Sequence, residues 1–102
     1  MNTTYRQGDI LFVSSESPIH TNQTAAGSLD IAQGEVTGHA HVLHADGIEF
    51  DTGWGGLVDA LNLPDGGTLR HDEHAPINLP PGSYRIRRQR EYTYKQAVSA
   101  DD

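Results

Sequence analysis

The chain has 102 residues, which is enough for one domain with one modest hydrophobic core. It contains no cysteine, so disulfides and thiolate metal sites are excluded, and any metal must be held by imidazole or oxygen ligands. The formal net charge of −7 opposes general binding to nucleic acids, because long-range repulsion weakens association with a phosphate backbone. Neither a secretory leader nor an apolar run near the roughly 20 residues of a membrane span is apparent. We therefore expect one cytoplasmic domain over residues 1–102, with flexible termini at 1–5 and 96–102 and no membrane association.

The first half of the chain shows the alternation that is typical of strands. Residues 9–13 (DILFV) form a short apolar run, and residues 28–33 (SLDIAQ) and 47–52 (GIEFDT) alternate apolar with polar side chains. Between the HAHVLH stretch and residues 47–52, the pair Asp46-Gly47 predicts a hairpin turn, because glycine tolerates the positive φ of a type I′ turn.

The second half continues in the same way. A further turn is expected within residues 63–69 (LPDGGTL), and Pro80-Pro81-Gly82 should open the last strand. Residues 56–63 come nearest to a helical pattern, but the stretch is short and ends at Pro64. The sequence therefore predicts an all-β fold of about seven or eight short strands, closed as a small single-domain barrel or sandwich.

Three of the six histidines lie within residues 39–44. Residues two apart in a strand point to the same face, so His39 and His41 should project side by side, with Leu43 next in that row. His44 takes the opposite face and is expected at the surface.

A second histidine cluster lies within residues 69–77 (LRHDEHAPI). A continuous strand would point His71 inward and His74 outward, whereas a turn between them would let both face one point. A helix is disfavoured here because Pro76 follows directly. The spacing alone leaves the choice between strand and turn open.

Together the two clusters supply three or four imidazoles, which suits an open site for a divalent transition metal: Zn first, with Fe, Ni or Mn as alternatives. The candidate ligands are His39, His41 and His74, with His71 as a possible fourth. Water bound to Zn²⁺ has a pKa of about 7, and Glu73 beside His74 is then the natural general base or a further ligand. The alternative is that these histidines are hydrogen-bonded interior or surface groups without a metal.

The last strand carries five of the seven basic residues, within residues 82–95 (GSYRIRRQREYTYK). Every second residue of this strand should point to the same face, and one face then carries Tyr84, Ile86, Arg88 and Arg90. The residues between them are polar throughout and should face water. A guanidinium in the inner row must meet a carboxylate, solvent or an anionic ligand, because burying it unpaired is costly. Alternatively, the strand twists away and leaves the arginines solvated, or a bulge turns Gln89 inward.

The functional interpretation of this segment is a pocket for a small anionic substrate. Arg88 or Arg90, together with Gln89, would orient a carboxylate or phosphate against the metal. Trp54 stands between glycines in DTGWGG and would line the pocket mouth, or would simply pack within a hairpin.

The order of motifs resembles a minimal cupin barrel: HxH at His39 and His41, a second His-bearing segment, and then INLPPGSYRI with its proline-glycine turn. The resemblance implies a cupin-like barrel in which His39 and His41 are metal ligands and Pro81-Gly82 is the turn of the second motif. Tyr84 and Arg85 stand where the last histidine of the family would be, and the glutamate of the first motif is absent. His71 or His74 would have to replace that last histidine.

The chain is also similar to a group of small, functionally uncharacterised bacterial proteins. The shared motifs are RQGD at 6–9, GEVTGHAH at 34–41, HDEH at 71–74 and RQREY at 88–92. This similarity spans most of the chain and implies no activity.

The leading expectation is a small metal-binding, cupin-like protein that acts as a metal-dependent hydrolase or lyase on a small anionic molecule. The first alternative is a non-enzymatic binding or structural module in which the histidines form a structural metal site or a hydrogen-bond network. The second is a nucleic-acid or phosphoprotein accessory that uses the basic last strand, which the acidic remainder of the chain disfavours. Exposed strand edges would also allow a homodimer.

Overall fold

Eight strands make up most of the described part of the chain, which in this computed structural model comprises residues 3–31 and 40–88. In chain order they are β1 Thr4–Gln7, β2 Ile10–Ser15, β3 Gln23–Asp30, β4 Val42–Thr52, β5 Val58–Leu63, β6 Gly67–Arg70, β7 Ile77–Leu79 and β8 Gly82–Arg88. A short 3-10 turn, Trp54–Gly56, joins β4 to β5. Within the described ranges there is no α-helix, so the prediction of an all-β fold with seven or eight strands is confirmed.

The strands form one antiparallel sheet in the order β1-β2-β8-β5-β4-β6-β7, and β3 pairs with β4 outside this path. The two end strands, β1 and β7, come into contact. The side-chain amide of Gln7 at the end of β1 bridges the seam, since its Nε2 donates to the carbonyl oxygens of Leu69 and Ala75 at 3.1 and 2.9 Å. The sheet is therefore a nearly closed barrel.

The core fills the inside of this barrel with alternate residues of each strand. On β2 and β8, for example, Ile10, Phe12, Tyr84 and Ile86 are buried, while the residues between them are more exposed. The remaining core side chains are Leu29, Ile31, Leu43, Ile48, Phe50, Val58, Leu61, Leu63, Leu69 and Leu79. Each fully buried side chain of this size contributes roughly 1.5–3 kcal/mol to stability. The hydroxyl group of the buried Tyr84 donates a hydrogen bond to the carbonyl oxygen of Pro80, so the polar end of this side chain has a partner.

The prediction of a hairpin turn at Asp46-Gly47 is wrong. Strand β4 runs without interruption through both residues, and the φ angle of Gly47 is not positive. An Asp-Gly pair makes a hairpin only when the segments on either side of it pair with each other. Here both segments pair instead with β3 along one edge, and with β6 and then β5 along the other.

The Asp-Gly pair forms a β-bulge instead. Between the pairs Ala25↔Ile48 and Gly27↔Ala45, β3 has one residue and β4 has two, which are Asp46 and Gly47. The extra residue reverses the side-chain alternation of β4. Leu43 and Ile48 are an odd number of residues apart, and both are buried as a result.

The other predicted turns are confirmed. The tight turn after Leu63 closes with a hydrogen bond from the Gly66 N–H to the Leu63 carbonyl oxygen at 3.2 Å, and Gly66 has a φ of 74°. Strand β8 opens at Gly82, directly after the two prolines.

The segment between β2 and β3 crosses the outside of the barrel and is fastened by Asn62 of β5. The Asn62 amide accepts from the Ile19 N–H at 3.2 Å and donates to the Ile19 carbonyl oxygen at 2.6 Å. The described residues include no helix long and apolar enough to cross a bilayer.

Candidate functional site

Three imidazoles from distant parts of the chain meet at one rim of the barrel. The ring centroids of His41 and His71 are 4.2 Å apart, those of His71 and His74 are 4.6 Å apart, and those of His41 and His74 are 6.2 Å apart. We call these three residues the histidine cluster. The convergence follows from sheet register, because Val42 of β4 pairs with Arg70 of β6 and the next residues outward are His41 and His71.

A bend, and not a continuous strand, carries the second half of the cluster. Strand β6 ends at Arg70, and the chain turns through residues 72–74 before β7 begins. The backbone N–H of Glu73 donates to Nδ1 of His71 at 3.0 Å, which closes the bend. Of the two alternatives left open by the sequence, the turn that brings His71 and His74 to one point is the one that occurs.

Gln7 determines which nitrogen of His41 carries the proton. The Gln7 Nε2 donates to two carbonyl oxygens, so its Oε1 is fixed as an acceptor by the hydrogen-bond network. That Oε1 lies 3.0 Å from Nδ1 of His41, and Nδ1 must therefore donate. In a neutral ring the lone pair is then on Nε2.

The open nitrogen of His41 faces the turn between β1 and β2. Its Nε2 lies 4.0 Å from Oδ1 of Asp9, whose side chain is about half exposed. A Cβ added at Gly8 would stand 2.9 Å from Nε2 of His74 and 3.5 Å from Cε1 of His41. Both rings therefore lie over the backbone of Gly8, where the absence of a side chain makes room for them.

Burial lowers the pKa of His41 below its ordinary value of 6.5. Repulsion from His71 acts in the same direction, as do weaker contributions from His74 and Arg88, whereas the Asp9 carboxylate opposes the shift. The fold thus favours the neutral ring, which is the form that binds a metal.

Arg88 lies at the end of β8 in the inner row, as strand parity predicts for this position. Its Nη2 donates to the carbonyl oxygens of Ile31 and Val58 at 2.7 and 3.0 Å. Burial lowers the pKa of this guanidinium, opposed by Asp59 and Asp9. The sequence pattern assigns the Arg88 guanidinium to substrate binding. In the structure it binds backbone carbonyl oxygens, which were not among its expected partners.

Several candidate residues lie elsewhere or outside the described part. His39, Gln89 and Arg90 fall outside the described residues, and so does the side chain of Trp54, whose backbone lies in the 3-10 turn after β4. Glu73 is exposed at the bend of the β6–β7 loop. His44 is exposed on β4, on the face opposite to Leu43, as expected.

Within residues 3–31 and 40–88, no three histidine, aspartate or glutamate side chains are arranged closely enough to hold a metal ion. The cluster is thus a set of converging donors and not a formed coordination shell. Sequence reasoning noted the RQGD motif but gave Gln7, Gly8 and Asp9 no role. The structure places all three against the histidine cluster.

A family model for a domain of unknown function, DUF8820, matches residues 6–89 of the chain. The chain belongs to the DUF8820 family. The matched range of DUF8820 includes Gln7, Gly8, Asp9, His41, His71 and His74. No curated protein and no solved structure matches the chain. The function of this DUF8820 protein must therefore be argued from its own residues.

Proposed function

We propose that this DUF8820 protein binds a divalent transition metal, Zn²⁺ first, through Nε2 of His41, the His74 imidazole and the Asp9 carboxylate. The observation that carries the proposal is the hydrogen bond between Gln7 and Nδ1 of His41. Histidines that bind metals almost always donate their other ring N–H to a fixed acceptor, which orients the ring and sets the tautomer. Gln7 supplies that acceptor.

Electrostatics supports a cation at this place. The lone pair of His41 Nε2 and the Asp9 carboxylate face each other, and both are electron-pair donors. A proton could bridge them, but the lowered pKa of His41 disfavours it. A metal ion bound between them would satisfy both donors at neutral pH.

The donor atoms must move closer together to hold a metal ion. Ligand atoms that bind Zn²⁺ tetrahedrally at about 2.0–2.1 Å lie roughly 3.3–3.4 Å from one another. The separation between His41 Nε2 and Asp9 Oδ1 is 4.0 Å, and the side chains of Asp9 and His74 are exposed. Rotation of these two exposed side chains would complete the set around the buried His41. His39 stays a predicted further ligand.

A metal held by three protein groups keeps an open position and supplies an activated water for hydrolysis or hydration. For this reason we retain a metal-dependent hydrolase or lyase as the proposed activity, with Glu73 as the base. The positive charge of Arg88 reaches His41 and Asp9 and would favour an anionic substrate. The cupin-like relationship and the cytoplasmic location remain proposals alongside it.

The test is a calorimetric titration of tag-free, metal-free protein with Zn²⁺, Mn²⁺, Ni²⁺ and Fe²⁺, together with elemental analysis. We expect one equivalent to bind, and we expect His41→Ala, His74→Ala and Asp9→Asn each to weaken binding by about tenfold or more. His44→Ala and His20→Ala are matched controls on exposed histidines and should bind as the parent does. Binding by the parent at well below one equivalent would reject the metal site.

A second candidate function is a structural hydrogen-bond network that contains no metal. The hydrogen bonds donated by Nε2 of Gln7 favour it. These two bonds to Leu69 and Ala75 close the barrel seam whether or not a metal is present. Under this alternative, His41→Ala mainly lowers the melting temperature of the metal-free protein. Under the metal proposal, Asp9→Asn weakens metal binding while the metal-free melting temperature stays close to that of the parent.

A further inference from the structure

A second surface of interest, separate from the histidine cluster, lies on the outer face of β2 and β8. On β8, Arg85 and Arg87 are exposed between the buried Tyr84 and Ile86. Sheet register places Arg85 beside Val13 and Arg87 beside Leu11 on the same outer face. Both apolar neighbours are half-buried, so the two arginines stand over a partly apolar floor.

The surface between these strands is concave. A groove of about 540 Å³ is lined by Val13, Ser14, Ser15, Glu16, Ser17, Arg85 and Arg87. This volume falls within the range of roughly 300–1,000 Å³ that is usual for small-molecule sites. Two hydroxyls of its wall are already engaged: Ser14 accepts from the Thr3 N–H, and Ser15 donates to the Ser17 carbonyl oxygen at 2.8 Å. The wall is therefore held in place.

The two guanidiniums are unusual in so acidic a chain. The protein has 14 acidic residues against seven basic ones, yet within residues 3–31 and 40–88 neither the Arg85 side chain nor the Arg87 side chain makes an ion pair or a hydrogen bond. Residues two apart in a strand have Cα atoms about 6.7 Å apart, so both long side chains reach a common point. Two guanidiniums extended to such a point would match the charge and the several acceptor oxygens of a phosphate dianion.

We propose that this groove binds a small phosphate monoester, with its phosphate on Arg85 and Arg87 and its organic part over Val13. Glu16 is the one acidic residue in the groove lining, and it already makes a contact of its own within the described part of the chain. The proposal is independent of the metal site, because the two sites share no residue.

The test follows backbone amides of β2 and β8, and the Nε–H groups of Arg85 and Arg87, by NMR at constant ionic strength. The probes are adenosine monophosphate, adenosine, inorganic phosphate and acetate, each to about 10 mM. We expect the monophosphate to shift the signals of both strands and to bind several-fold tighter than inorganic phosphate. Adenosine and acetate should leave these signals unchanged.

The variant Arg85→Gln/Arg87→Gln should weaken monophosphate binding by about tenfold or more, since it removes both charge-assisted partners. Arg70→Gln is the matched control, because Arg70 is an exposed arginine on β6 and should bind as the parent does. No shift with the monophosphate, or equal weakening in both variants, would overturn the proposal. So would an oligonucleotide that binds far more tightly with a steep salt dependence, since it would indicate a nucleic-acid surface.

Discussion

The side-chain amide of Gln7 has two roles: its Nε2 donates hydrogen bonds across the barrel seam, and its Oε1 accepts a hydrogen bond from Nδ1 of His41 at 3.0 Å. Because both amide hydrogens are committed to carbonyl oxygens, the amide cannot turn over without breaking three hydrogen bonds. The tautomer of His41 is therefore a property of the fold and not of the ring itself.

This relationship predicts the NMR signature of His41. Long-range ¹H–¹⁵N spectra of the metal-free protein above pH 7 should show Nδ1 as the protonated nitrogen and Nε2 as the unprotonated one. The opposite pattern is the more common one for a histidine in water, so it would show that Gln7 does not fix the ring.

Replacing Gln7 should destabilise the protein. Gln7→Met keeps the approximate length of the side chain but leaves the Nδ1–H of His41 and the carbonyl oxygens of Leu69 and Ala75 without this partner. We expect a loss of about 2–4 kcal/mol in the free energy of unfolding, measured by urea denaturation. Gln23→Met is the control, since Gln23 makes one exposed hydrogen bond to Thr52, and it should change stability by less than about 0.5 kcal/mol.

Gly8 should be required both for its backbone conformation and for the space above it. Gly8→Ala introduces a side chain at a φ of 63°, which costs about 1–2 kcal/mol, and it also displaces the His74 ring. Gly27→Ala separates these effects, because Gly27 has a φ of 88° with nothing within 4 Å of the added Cβ.

Both glycine variants should lose stability, but only Gly8→Ala should weaken metal binding in the calorimetric titration. Equal metal affinity in the two variants would show that His74 is not a ligand, or that its ring moves aside without consequence.

The lowered pKa of His41 predicts how stability depends on pH. The unfolded chain, with a histidine pKa near 6.5, binds more protons than the folded protein between the folded pKa and 6.5. The stability due to His41 is therefore fully present above 6.5 and is lost as the pH falls through that window. Denaturation of the metal-free protein from about pH 7.5 to about pH 5 should show this decline, and His41→Gln should reduce its slope. An identical slope in the variant would contradict the prediction.

Arg88 should behave as a structural residue. Arg88→Met removes the donor to the Ile31 and Val58 carbonyl oxygens, and we expect a loss of about 2–4 kcal/mol in the free energy of unfolding. Arg70→Met at an exposed position should change it by less than about 0.5 kcal/mol. If Arg88→Met were as stable as the parent, the guanidinium would be available for a ligand, as the sequence first indicated.

Short-range patterns were enough to predict the fold class and the side-chain alternation of several strands. The alternation in residues 82–88 placed Tyr84 and Ile86 inside, and Arg88 in the same row, because side-chain direction in a strand repeats every two residues regardless of what the strand pairs with. His41 and Leu43 are two residues apart and are both buried, as alternation predicts. The turn after Leu63 is likewise a local property.

The conformation of Asp46-Gly47 and the contacts of the histidine cluster depend on which strands pair, and only the tertiary structure determined them. Asp46-Gly47 has the same local preferences in a hairpin and in a bulge, and the pairing of β4 with β3 on one edge and with β5 and β6 on the other made it a bulge. The contact between His41 and His71 arises from the register of β4 with β6, and Gln7 and Asp9 join them because β1 meets β7 at the seam. Loop closure over such separations is determined by the packing of the whole chain, so the sequence could supply the histidines but not their partners.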